Sequence, residues 1–472
     1  MSKYRILTDE TGKRIAEAVE GIAEMQGATV GDGIEYGFRW VSGASSPVVE
    51  RVTRQNGVIS PWEISFTTNV GGTVNENAFD YISLFAPKDY TDGAGNRFKR
   101  FSRFYIGRQT IGVYSYVWLC KKQVAAFYVL PRAFKRAGVP YWNYRDIGVY
   151  EAGKETVDGA TYLTSKTGLH PAHNINRTTA NNYAKAIGTR LGIDTEQEQY
   201  SITTMSEIVE LMQPLLLLMY GTKNSDGVYK GVQSVFTTAT PVESYDAATK
   251  TITLAAGTAS KYVVGGVIEC NTTGGTESNY RTITEIGDLY IVHDGDAFET
   301  LTQISGRPNK TGQTDTIDAT HGTEANDGKH SFKALGIENI FGNTWAHILD
   351  VTIYDLVPYI CDDLDAWTDT TTPASNAAFK KCSYTLANRE GYAKALGYDA
   401  AYPDVQLTTE VGGSSTTYYC DYYYQNGLGA KTVLHGGTLD NGADVGLFYW
   451  SVSIGVGLSY WSLGARLSHA AL

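Results

Sequence analysis

The chain has 472 residues and a net charge of −11, from 39 Lys and Arg against 50 Asp and Glu. That length exceeds one compact core, so several domains or one domain with a large insertion are expected, and the acidic balance argues against nucleic acid as a partner. Counts of 50 Gly and 33 Tyr against 12 Pro suit many strands and turns, with tyrosine offered for contact.

The opening MSKYRILTDETGK lacks an apolar core, so no signal peptide is expected. Residues 8–26 read as a short helix with Ile15, Val19 and Ile22 on one face and Gly27 as its stop. Such a helix either lies on its own chain or makes a three-chain or tail-docking contact. Residues 33–130 read as strands and turns, carried by FKRFSRFYIGRQ and VYSYVWLCKKQVAAFYVL. The spacing of Tyr183, Ala186, Ile187 and Leu191 predicts a helix over 179–191. A second is predicted over 205–220, with Thr204 and Glu207 as a capping box and a kink at Pro214. Its apolar run, 211–220, is far below membrane-spanning length, so no membrane insertion is expected.

After Gly221 the texture turns rich in Thr, Gly, Val and Ile. TKTITLAAG, KYVVGGVIEC and YRTITEIGDLYIVHDG are short, evenly spaced strand patterns that predict a small inserted β-barrel or sandwich over 222–320. The polar, breaker-rich 306–330 reads as a loop. The aromatic texture then resumes and ends in HGGTLDNGADVGLFYWSVSIGVGLSYWSLGARL. Gly436-Gly437 and Asn441-Gly442 are expected to supply positive φ for tight turns. Trp345 and Trp461 are expected to act as core anchors, and Arg466 to hold backbone carbonyls or a carboxylate.

ALGIENIFGNTWAHILD (334–350) resembles the central signature of the formylglycine-generating-enzyme branch of the C-type lectin fold, and the terminal HGGTLDNGADVGLFYW…LGARL resembles its closing motif. FSRFYIGRQ…VYSYVWL and the two helices come in that family's order. The likeness covers about 85–221 and 325–472, with the β insertion between, as in phage tail and variable proteins of that branch. It implies an α+β chain: a C-type lectin-like domain with two helices and small mixed sheets, split by the insertion. The resulting division is an N-terminal helix over 1–32, the lectin-like domain over 33–221 and 321–472, and the insert over 222–320.

Enzymes of that branch need a cysteine pair in the terminal segment, and no cysteine follows Cys420. Cys120, Cys270, Cys361, Cys382 and Cys420 are dispersed, odd in number and lack a CxxC pair, which is poor material for disulfides or zinc and fits synthesis in a reducing cytosol. Cys420 reads as a small buried hydrophobe. His170 and His173 have only a loose metal-like spacing, and Asp362, Asp363 and Asp365 read as a solvated loop or helix start rather than a calcium site. Glycines around 453–457 lack the strand–helix context of a phosphate loop, so no cofactor is expected. The chain is read as a binding protein and not an enzyme.

In relatives diversified by a retroelement, asparagine codons (AAC) recur through the terminal segment and their adenines are replaced. Laid on that pattern, the diversified places fall on Ser451, Ser453, Ile454, Leu458, Tyr460 and Ser462, all encodable by codons ending in C. Phe448, Tyr449, Val452, Trp461, Leu463, Gly464 and Arg466 keep the frame. The resemblance thus implies a variable ligand-binding region over 436–467, with Asp440, Asp444, Tyr449, Trp450, Ser451, Ser453, Ile454, Leu458, Tyr460 and Ser462 as contact residues. It also implies a phage tail receptor-binding protein carried on the virion tail. Its expected partners are a bacterial surface receptor, protein or glycan, other tail proteins, and further copies of itself, most simply in a homotrimer. A purely structural tail or baseplate component, and an enzyme on the same fold, are the alternatives.

Overall fold

The computed structural model describes residues 34–62, 85–135 and 141–472. The helix expected over 8–26 lies outside them. Strand accounts for 38% and helix for 11% of the structure, so the expected α+β class is corrected to a mostly β architecture. The sheets are also not small: among the described residues they include sheets of five, six, seven and nine strands.

The alternating pattern near the start builds a six-stranded antiparallel sheet. Its centre is the hairpin Tyr105–Ile111 and Tyr114–Cys120, flanked by Glu35–Val41. Period-two geometry sends Val117 and Leu119 to one face, where they join the main core with Phe38 and Ile106. Tyr116, Trp118 and Cys120 go to the other face, in a small cluster with Val52 and Tyr128.

Helix Arg177–Leu191 is set by local signals. Asn176 caps its start, accepting from the Thr179 N–H at 2.8 Å, and Gly192 ends it with φ of 64°. Its inward face is Ala180, Ala184, Ile187 and Gly188, with Ala186 only half-buried. The second helical segment departs from expectation. Only one arm of the capping box forms: the Glu207 carboxylate accepts from the Thr204 N–H at 2.7 Å, while the Thr204 hydroxyl has no partner. Instead of a sharp kink, Glu207–Met212 is a π-helix that runs into the α-helix Gln213–Tyr220. The Gln213 N–H reaches back five residues to the Ile208 carbonyl, a wide turn that absorbs the N–H missing at Pro214. Every residue from Glu207 to Tyr220 is buried, between the first sheet and the nine-stranded sheet.

The nine-stranded sheet is built on Trp345–Tyr354 paired antiparallel with Ala430–His435. Trp450–Val452 adds to it antiparallel to Ala430–His435 and parallel to Tyr422–Gln425. Leu463–Gly464 pairs in parallel with Trp345 and Ala346. A five-stranded sheet places Arg466–Ala471 between Glu198–Ile202 and Tyr144–Glu151. Arg466 is buried there, and its guanidinium donates to the carbonyls of Gly148, Val149, Glu338 and Asn339 at 2.6–3.2 Å.

The inserted sheet runs from Thr240–Pro241 to Gln303–Arg307, a narrower span than the expected 222–320. It has its own core of residues such as Ile252, Ile268, Ile283 and Ile304. The segment 240–246 serves both edges: the Val242 N–H donates to Thr302 and the Glu243 N–H to Thr253, so the sheet closes on itself. Residues before it lie on the main body, where Val228 and Tyr229 enter the main core. The polar 306–330 is largely a loop, as expected, but a buried one. Asn309, Thr311, Thr314 and His321 are buried, and the first three are hydrogen-bonded to Asn343, Lys166 and Glu338 respectively. Composition could not separate a satisfied buried loop from an exposed one.

Candidate functional site

The terminal segment starts from a tight turn. Gly436 and Gly437 have φ of 92° and 85°, and a Cβ on Gly437 would stand 2.7 Å from a methyl of Val445. Gly442 also has positive φ, but Asn441 does not, at −81°, because it leads a 3₁₀ turn. His435 is buried; burial pushes its pKa down to about 4, and Nε2–H of the neutral ring donates to the Leu447 carbonyl at 3.0 Å. Trp450 packs on that ring at 4.6 Å between centroids.

Here the structure corrects three expected contact residues. Tyr449, Trp450 and Ser451 are buried, with relative exposures of 3%, 0% and 1%. Trp450 and Ser451 lie in a strand covered on both sides, and Tyr449 packs edge-on against Trp345 at 4.6 Å. A side chain that the core already surrounds cannot also meet a ligand. Asp440 is exposed and accepts from the Thr237 hydroxyl at 3.0 Å. Asp444 is half-buried beside the Tyr392 hydroxyl, and burial raises its pKa. Both aspartates belong to the turn before the strand.

The chain then surfaces as the loop 453–462. Leu458 and Tyr460 are 46% and 49% exposed. Ser453, Ile454 and Ser462 are half-buried, and Ile454 packs on the main core. The loop is held through its main chain. The carbonyls of Ile454, Tyr460 and Ser462 accept from the N–H groups of Thr432, Asn174 and Trp345 at 3.0–3.1 Å. The Gly457 carbonyl accepts from the Asn176 amide at 3.3 Å, and the Ser453 carbonyl from Lys431 at 3.2 Å. Among the described residues, one hydrogen bond is made by a side chain of the loop itself, between the hydroxyls of Ser453 and Ser451 at 2.9 Å.

Trp461 is not a core anchor. It stands half-buried against the insert, its ring 4.6 Å from the Arg307 guanidinium and its Cβ beside Gly275. Arg307 is fixed in turn by the buried Glu269 carboxylate at 2.7 Å. His173 joins the same junction: its ring stacks on Tyr280 at 5.4 Å between centroids and bonds the Gly275 carbonyl at 3.1 Å. His170 meets the edge of that tyrosine, and burial pushes its pKa down to about 4. The two histidines therefore join the insert to the body. Asp362 and Asp365 are exposed in a turn, where Asp363 accepts from the Asp365 N–H at 3.0 Å. Among the described residues no group of three His, Cys, Asp or Glu side chains converges as a metal site, and no helix is long and apolar enough to cross a membrane.

A concavity away from this loop has no counterpart in the sequence reading. A cleft of about 450 Å³ opens between the first sheet, the π/α segment and the turns near 397 and 419. Trp40, Arg108, Gln213, Lys223, Tyr419 and Phe448 line it, brought together from widely separated parts of the chain. The only local hint is Lys223 placed two residues after the Gly221 that stops the helix. No protein-family model matches the chain, and no curated protein matches it.

Proposed function

We propose that the protein is a display protein of a phage tail, one that binds a bacterial surface receptor non-covalently through the loop 453–462. The observation that carries this reading is the way the loop is tied: backbone carbonyls make the long-range bonds, and Leu458 and Tyr460 project into solvent. Such a loop keeps its course when its exposed side chains change, which is what a diversified binding surface requires. Tyrosine and leucine supply contact area at low entropic cost, and the neighbouring serines supply adaptable hydrogen bonds. The contact set is Ser453, Leu458, Tyr460 and Ser462, with Ile454 at its edge and Asp440 beyond. Assembly as a homotrimer would multiply weak single contacts into useful avidity.

Non-covalent binding is also the reading favoured by the thiols. All five cysteines are buried, and burial pushes Cys270, Cys361, Cys382 and Cys420 up to about 12, away from thiolate chemistry. The test is the double substitution Leu458→Ala/Tyr460→Ala, with host-cell adsorption and melting temperature measured together. Lost adsorption at unchanged melting supports the reading; unchanged adsorption overturns it in favour of a structural tail component. A nearby copy of codons 436–467 differing at adenines, beside a reverse transcriptase, would support the retroelement part independently.

A further inference from the structure

The cleft beside the π/α segment holds a cation with no counter-charge. Lys223 is rooted by its own N–H, which donates to the Pro47 carbonyl at 2.9 Å. The residue is 4% exposed, and its ammonium lies 5.0 Å from the ring centre of Trp40 and 4.7 Å from that of Tyr419. Among the described residues its ammonium makes no ion pair and no hydrogen bond. The aromatic faces offset part of its desolvation, and the ammonium, which opens onto the cleft, has no oxygen acceptor among the described residues. The Cys420 thiol nearby is pushed up to about 12 by burial and so stays neutral. Arg108 lines the same cleft, 3.6 Å from Glu210, whose nearer carboxylate oxygen has no hydrogen-bond partner.

We propose that this cleft is a binding site for a small ring-bearing carboxylate, with the carboxylate on Lys223 and the ring against the apolar wall of Leu217, Leu396 and Phe448. A volume of about 450 Å³ suits such a molecule. One unpaired ammonium matches one negative charge; a phosphate dianion would bring a second charge into an apolar setting with too few donors to meet it. The backbone around the site is fixed, since helix, sheet and turn all contribute lining residues from the main core. Burial holds Lys223 at about 8, well below an ordinary lysine, so the site carries its charge at neutral pH and loses it in mild alkali. The proposal does not rest on the reading of the 453–462 loop.

The test is calorimetric titration of the full chain with phenylacetate, indole-3-acetate, cyclohexanecarboxylate and N-acetylneuraminate, each beside its neutral amide. The expected result is that at least one acid binds and does so at least ~10-fold more tightly than its amide. Its affinity is level near pH 6–7 and falls as pH rises through about 8. Lys223→Met, which keeps the stem, abolishes the preference for acid over amide. The proposal is overturned if none of the acids binds, if acid and amide bind equally, or if binding is indifferent to pH between 7 and 10. The comparison of acid with amide uses the wild-type chain and decides the matter even if the variant fails to fold.

Discussion

The sharpest expectation contrasts two neighbours in sequence, Trp450 and Leu458. Fully burying a leucine contributes about 1.5–3 kcal/mol. Leu458 is 46% exposed, and alanine would keep its Cβ, so Leu458→Ala should cost no more than about 0.5–1 kcal/mol, with no cavity left behind. Tyr460→Ala, at 49% exposure, should behave alike, because the hydrogen bonds that fix its position run through its carbonyl and not its ring. Trp450 has no exposed surface and packs on His435. Its replacement by alanine should cost about 3–5 kcal/mol, the sum of lost transfer and a residual cavity. Native-state hydrogen exchange at the amides of Ala430–His435 reads the opening of this unit separately from the insert, which has its own core. A cost above about 2 kcal/mol for either loop substitution, or below about 1 kcal/mol for Trp450→Ala, would refute the division into firm frame and replaceable filling.

Other expectations follow from the same geometry. Arg466→Met leaves four buried carbonyls without their donors, and urea unfolding should show a loss of about 3–5 kcal/mol. Gly275→Ala puts a Cβ 2.6 Å from that of Trp461 at a φ of +80°; exchange at the amides of 457–462 should accelerate, and unchanged exchange would mean the insert does not brace the loop. His347 and His435 are held neutral down to about pH 4 by burial. The unfolded chain takes up their protons below about 6.5, so their contribution to stability is lost as pH falls from there towards 4, and His435→Gln should flatten part of that decline in a stability–pH series. Iodoacetamide at neutral pH should leave the five buried thiols of the folded chain unmodified and label them on denaturation; rapid labelling of Cys420 would contradict its burial.

What could be read from the sequence was what local chemistry decides. Asn176 and Gly192 bracket the first long helix because a cap and a left-handed stop act within one turn. Gly436 and Gly437 were legible for the same reason. Pro214 announced a disturbance but not its form, since a π-turn, unlike a kink, depends on the packing around Glu207–Met212. The burial of Trp450 and Ser451 was not legible, because aromatic and small residues in a row suit a display face and a covered strand equally. The distinction lies in Tyr422–Gln425 and Ala430–His435 flanking that strand. The cleft around Lys223 was wholly hidden, its walls being joined only by tertiary folding.

The strand Arg466–Ala471 lies between partners made far earlier, Tyr144–Glu151 and Glu198–Ile202. During synthesis both must wait, with a gap between them, until ribosomal translation has passed through the exposed loop. A frameshift or stop anywhere in that loop removes the keystone of the sheet along with the loop itself. A chain whose sheet has closed has therefore been translated in frame through that loop, because the strand without which the sheet stays open comes directly after it.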